Sequence, residues 1–184
     1  MIQGNEIRLR AIEKEDLTRF VAWLNDPDVY QHLELTLPLS LAQEELWYQE
    51  LLKKPMEEHP LVIEIDTPEG WFPVGNVSFI NINWRDRSAE IGIFIGEKKF
   101  WNQKHGQKAM RTMLRHGFCN LNLNRIYLKV YETNPRAIQA YKQVGFVEEG
   151  RLRQAKFQDG RYINVLLMSV LRSEWLERGE NREY

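Results

Sequence analysis

The chain has 184 residues, 43% of them hydrophobic and 28% charged, with a formal net charge of -1. These totals suit one globular domain over residues 1–184 that buries its own core, and they exclude a disordered chain or one whose overall field recruits nucleic acid or an anionic membrane. A single cysteine, Cys119, excludes an internal disulfide framework and a cysteine-based zinc site. Its helical neighbours predict a small core residue. The N-terminus, MIQGNEIRLR, lacks an apolar h-region and no later stretch approaches membrane-spanning length, so the expected compartment is the cytoplasm.

In chain order, Ile7 and Leu9 alternate with Arg8 and Arg10, predicting a strand over 6–11. Leu17, Phe20, Val21 and Leu24 share one face of a helix over 13–25, stopped by Asp26-Pro27 because the residue before proline is pushed out of helical geometry. Residues 30–39 read as a loop carrying Tyr30, His32, Glu34 and Pro38. Ser40, with Gln43 three positions on, forms a capping box that opens a helix through Leu52. A β-branched run over 61–66 predicts a strand, 67–70 a turn, and 71–83 a further strand broken near Gly75. Residues 84–88 form a charged hairpin turn that contains Trp84.

Ile91, Ile93 and Ile95 then alternate as a strand, and Ala109, Met110, Met113, Leu114, Gly117 and Phe118 follow at helical spacing. Between them lies a polar turn over 102–108 with Lys104, His105, Gly106 and Lys108. A strand leading through such a turn into a helix presents backbone N–H groups and a positive dipole end, which suits an anionic phosphate or serves as an ordinary connection. Strand 125–131, helix 134–144, extended chain to about Phe157, a turn at Asp159-Gly160 and a last strand over 162–171 complete the pattern. Residues 173–184 read as a charged tail. The order predicts an α+β fold with one βαβ crossover.

Arg87-Ser88-Ala89-Glu90-Ile91-Gly92, Phe100-Trp101, Leu123-Asn124-Arg125-Ile126, the run from Asn134-Pro135 to Tyr141, Gly145-Phe146 and Glu149-Gly150 occur in an informative order and spacing. Nearly the whole chain resembles the GNAT N-acetyltransferase superfamily, and within it the branch of Rim-type ribosomal-protein and spermidine acetyltransferases. The resemblance implies a central mixed, mostly antiparallel sheet with a βαβ cofactor-binding core and flanking helices. It further implies transfer of an acetyl group from acetyl-CoA to a primary amine, either a Rim-like protein N-terminus or a small-molecule amine. A polyamine such as spermidine, or a non-catalytic acyl-CoA-binding module, are the alternatives.

By the same resemblance, strand backbone at Phe94, Ile95 and Gly96 pairs with the pantetheine arm. The turn formed by Trp101, Asn102, Gln103, Lys104, His105, Gly106 and Gln107 wraps the pyrophosphate, and Ala137 adds to the cofactor site; Asn134, at the start of its helix, caps that helix, contacts the cofactor arm, or does both. The family turn is usually richer in glycine; here only Gly106 survives, and Asn102 and Lys104 stand where backbone is usually bare. Tyr141 is implied as the acid beside the sulfur, against packing on Phe146 as the plain alternative. Glu90 is the candidate base, against a surface pair with Arg87. His32, Glu34 and Trp84 are candidates for the acceptor wall, and Asp26, Asp28, Glu44 and Glu45 supply acid around it or solvated helix faces. No metal is expected, nor a nucleic-acid or membrane partner; Trp84 is equally a candidate for a homodimer contact.

Overall fold

The computed structural model describes residues 1–35 and 38–179; Thr36 and Leu37 of the expected loop, and residues 180–184 of the expected tail, lie outside the described residues. The strands are β1 (Ile2–Gln3), β2 (Ile7–Ala11), β3 (Leu61–Thr67), β4 (Gly70–Asn83), β5 (Ser88–Ile95), β6 (Arg125–Tyr131), β7 (Val147–Gln158) and β8 (Arg161–Leu171). The helices are α1 (Leu17–Leu24), α2 (Pro27–Tyr30), α3 (Leu41–Leu51), α4 (His105–Arg115), α5 (Pro135–Val144) and α6 (Arg172–Glu177). The strands form one eight-stranded mixed sheet in the order β1-β2-β3-β4-β5-β6-β8-β7. β5 and β6 are parallel and joined through α4, the βαβ crossover that the element order predicts. The packing divides the chain into two compact units, Met1–Phe79 with Gly92–Ala109, and Ile80–Ile91 with the chain from Met110 on.

In the first unit, Ile7 and Leu9 point inward from β2 and are fully buried, while Arg8 and Arg10 alternate with them. Both arginines converge on the buried Glu64 of β3, at 2.6 Å and 2.8 Å. Arg10 also grips Asp16 through both of its terminal nitrogens. Burial alone would raise the Asp16 pKa, but the hydrogen bonds from Arg10 and from the Glu13 N–H outweigh it and hold the carboxyl below its usual range. This network fixes the entry to α1, whose Leu17, Phe20 and Trp23 pack with Ile12, Leu51 and Val62. The Ser40–Gln43 capping box starts α3 as the sequence predicts.

The expected break near Gly75 is a bulge in a continuous strand. Gly75 pairs with Ile63 and Pro73 with Glu64, leaving Val74 as the extra residue. Val74 O accepts from the N–H groups of Gly96 (2.8 Å) and Glu97 (3.1 Å), so the bulge catches the end of β5. Two glycines make this approach possible. A Cβ on Gly75 would lie 2.1 Å from Phe94 O, and one on Gly96 would lie 2.2 Å from the Trp23 indole.

In the second unit, Ile126, Leu128 and Val130 of β6 are buried on one face with Ala89 and Ile91 of β5. Two expectations are corrected here. The expected charged tail begins as helix α6, with Trp175 almost fully buried against Phe118 at 5.5 Å between ring centroids. Cys119 is exposed rather than buried, because α4 ends in a π turn, His116–Asn120, in which Gly117 and Phe118 take the buried positions. Gly145, at φ +115°, closes α5 with its N–H on the Tyr141 carbonyl.

Gly75→Ala is expected to lower the unfolding free energy by about 1–3 kcal/mol, since the added methyl meets backbone that cannot move aside. Gly150→Ala, whose added methyl would meet nothing within 4 Å among the described residues beyond its chain neighbours, should stay within about 0.5 kcal/mol of wild type. Urea melts of the two variants check both.

Candidate active site

The first unit carries the turn and strand end expected to hold the cofactor. Trp101 Nε1 donates to Ile95 O at 2.8 Å, tying the turn to the end of β5. The Gly96 N–H is already used on Val74 O and its Cα packs on Trp23, so Gly96 contributes close packing rather than a backbone donor. Phe94 sets its ring edge-on to Trp23 at 6.3 Å.

Asn102 and Lys104 both adopt left-handed backbone, at φ +62° and +64°. The turn thus takes the dihedrals that glycine would favour, without glycine. As a result α4 begins at His105, inside the stretch expected to be a turn, and Lys104 O accepts the Lys108 N–H at 3.0 Å. The N–H groups of His105 and Gly106 open the helix and point out of its positive end, while Gln103 is exposed and Gln107 half-buried in the same segment. A Cβ at Gly106 would meet only the Ile95 side chain, at 3.7 Å. His105 packs edge-on against Phe100, and its Nδ1 is buried without a hydrogen-bond partner among the described residues. Burial, then the charge of Lys108, lowers its pKa. Helix-opening N–H groups, an orphaned ring nitrogen and the Lys104 charge together fit a pyrophosphate.

The acids expected near an acceptor separate in the structure. Asp26 and Asp28 are both paired with Lys98 Nζ, at 2.7 Å and 2.8 Å, and Asp26 also caps α2. Glu45 pairs with Lys14. Glu44, read beforehand as belonging to the acid mouth or to a solvated face, is buried, and burial raises its pKa. Glu34 is exposed and His32 half-buried in the turn that follows α2.

The second unit carries the proton-handling candidates. Glu90 sits in register with Tyr127 of β6. Its carboxylate pairs with Lys129 Nζ at 3.2 Å; its partner is Lys129, not the Arg87 that the sequence suggested. Lys129 was missed, although the alternation of buried Ile126, Leu128 and Val130 places it on the Glu90 face. Asn134 Oδ1 accepts from the Ala137 N–H at 3.1 Å and caps α5. Tyr141 is half-buried one face along this helix, its ring 5.9 Å from that of Phe146, and burial pushes its phenol up to about 12. Trp84 is 52% exposed. Among the described residues no cluster of three metal-ligating side chains occurs, and no helix is long and apolar enough to cross a membrane.

A family model described as an acetyltransferase (GNAT) domain matches residues 6–147. The chain belongs to the GNAT acetyltransferases. This GNAT chain is 34% identical over 184 residues to the spermidine N(1)-acetyltransferase of Vibrio cholerae, covering 96% of this chain and 99% of the relative. Among solved structures it resembles spermidine N-acetyltransferase from Vibrio cholerae in complex with CoA and spermine, with a TM-score of 0.84 and 31% identity over 93% of this chain and 98% of that one. It also resembles a dodecameric structure of that enzyme, with a TM-score of 0.79 and 32% identity over 94% of this chain and 98% of that one. The chain is an acetyl-CoA-dependent N-acetyltransferase of GNAT fold, an enzyme rather than a silent binding module.

Glu44→Gln is expected to raise stability at pH 7. The raised folded-state pKa of Glu44 means that its ionisation costs the folded chain stability as pH rises past the unfolded value of about 4.5. The gain should therefore vanish below that pH, where both states hold the proton. Denaturant melts at pH 7 and pH 3.5 test the sign.

Proposed function

We propose that this enzyme acetylates a polyamine of the spermidine class, its two compact units working as one acetyltransferase domain. The observation that carries the acceptor is the full-length similarity to spermidine N(1)-acetyltransferase, with a CoA- and spermine-bound neighbour beside it. The family match over 6–147, which draws on residues of both units, supports a single domain. Full-length similarity of this kind favours a polyamine over the protein α-amine of the Rim-type reading. The dodecameric neighbour supports assembly beyond the homodimer.

Acetyl-CoA supplies an acyl group already activated as a thioester, so the protein's part is orientation and charge stabilisation. The N–H groups of His105 and Gly106, with Lys104, would hold its pyrophosphate. Glu90 accepts the proton that the acceptor ammonium must lose, directly or through water. Tyr141 keeps its phenolic proton throughout the neutral range, because burial holds its pKa near 12. A free thiol ionises near about 8.5, so complete transfer from phenol to thiolate is uphill by roughly a thousandfold or more. Tyr141 therefore acts as a hydrogen-bond donor to the charge building on the departing sulfur.

Tyr141→Phe should lower kcat with spermidine about a hundredfold while CoA affinity stays at the wild-type value. Glu90→Gln should lower kcat by about tenfold to a hundredfold. Thiol release with spermidine as acceptor and calorimetry with CoA measure the two quantities separately. Release with an N-terminal peptide but not with spermidine would move the acceptor to a protein α-amine.

A further inference from the structure

Glu90, Tyr127 and Lys129 share one face of the sheet. The parallel ladder pairs Ala89 with Ile126, both fully buried, and Glu90 with Tyr127, so Glu90 lies on the face opposite the core. Lys129, two residues beyond Tyr127 on β6, returns to that face and reaches diagonally to the carboxylate, Nζ to Oε2 at 3.2 Å. The two partners are unequal in shelter: the Glu90 side chain is 16% exposed, the Lys129 side chain 47%. Lys129 is thus the more solvent-facing partner of a mostly enclosed carboxylate.

Lys129 ends in a primary ammonium on a flexible methylene chain. That is the chemistry of an aliphatic acceptor amine before it gives up its proton. We propose that Lys129 is an internal competitor for the acceptor, holding Glu90 in the free enzyme and exchanging with the incoming ammonium. The inference rests on Glu90 facing the acceptor, as in the reading above.

An ion pair with one well-exposed partner contributes little stability, so the exchange is cheap, and the displaced Lys129 returns to water. It still lowers apparent affinity, because only the fraction of enzyme with Glu90 uncovered is competent to bind. The competition is also selective in time. The nitrogen acetylated in the reaction becomes a neutral amide, which no longer draws the carboxylate, so the return of Lys129 to Glu90 favours product departure. Lys129 is a positioning and specificity residue in this scheme; it bonds to no reacting atom.

The test is calorimetric binding of spermidine to the CoA-loaded protein, in wild type and in Lys129→Met, Lys129→Arg, Glu90→Gln and the Lys129→Met/Glu90→Gln double variant, with steady-state kinetics alongside. Lys129→Met should tighten spermidine binding about threefold to fivefold at low salt and lower KM more than it changes kcat. Lys129→Arg should stay at the wild-type value. In the Glu90→Gln background, Lys129→Met should no longer tighten binding. Unchanged or weaker binding in Lys129→Met, with Glu90→Gln impaired, overturns the competition alone. Wild-type binding by Glu90→Gln removes Glu90 from the acceptor site, and absence of spermidine binding by wild type removes the polyamine assignment; either result overturns the competition with it.

Discussion

The fold of the first unit depends on one close approach of backbone to backbone. Pro73 brings no amide hydrogen to β4, the strand bulges at Val74, and the carbonyl of Val74 takes two N–H groups from the end of β5. Gly75 admits the Phe94 carbonyl and Gly96 admits the Trp23 ring, so neither position has room for even a methyl group. Trp101 then ties down the Ile95 carbonyl, and the left-handed pair Asn102 and Lys104 turns the chain into α4. Where the helix begins, and so where its opening N–H groups point, is set by this sequence of contacts. A methyl group at Gly75 would act on the start of α4 through packing, without touching it.

Charge is handled differently around the two groups of candidate residues. In the first unit most acids near the early helices are already satisfied: Asp26 and Asp28 by Lys98, Glu45 by Lys14, Asp16 and Glu64 by arginines. In the second, the Glu90 carboxylate is held, among the described residues, by a single partner whose own side chain is nearly half exposed. Partners fixed from several sides maintain a fold; a partner tethered by a flexible stem can be exchanged. Tyr141 shows the complementary property, a phenolic proton that burial holds more firmly than in a free tyrosine.

Much of this was legible in the sequence because it is local. The Ser40–Gln43 box, the alternation of β6 and the Asn134 cap are each written within a few residues. What was not legible depends on partners far along the chain. Asp28 and Lys98 are 70 positions apart, so an acid that reads as open to substrate is in fact neutralised. Trp175 looked like part of a charged tail because its partner, Phe118, lies in a distant helix. Cys119 read as core because an ideal α-helix was assumed; the π turn shifts the register and puts it outside. Lys129 was overlooked because a lone lysine on a strand acquires meaning only once the β5–β6 register is known.

The left-handed turn at Asn102 and Lys104 also bears on how ligand recognition is divided between enthalpy and entropy. Glycine at these positions would leave the segment free to sample many backbone states before an anion arrived, and ordering it would count against association. Side chains there narrow that range in advance and place the strain in the folded protein itself. An anion taken up by such a turn would meet backbone already set, with a smaller entropic penalty than a glycine-rich turn would impose.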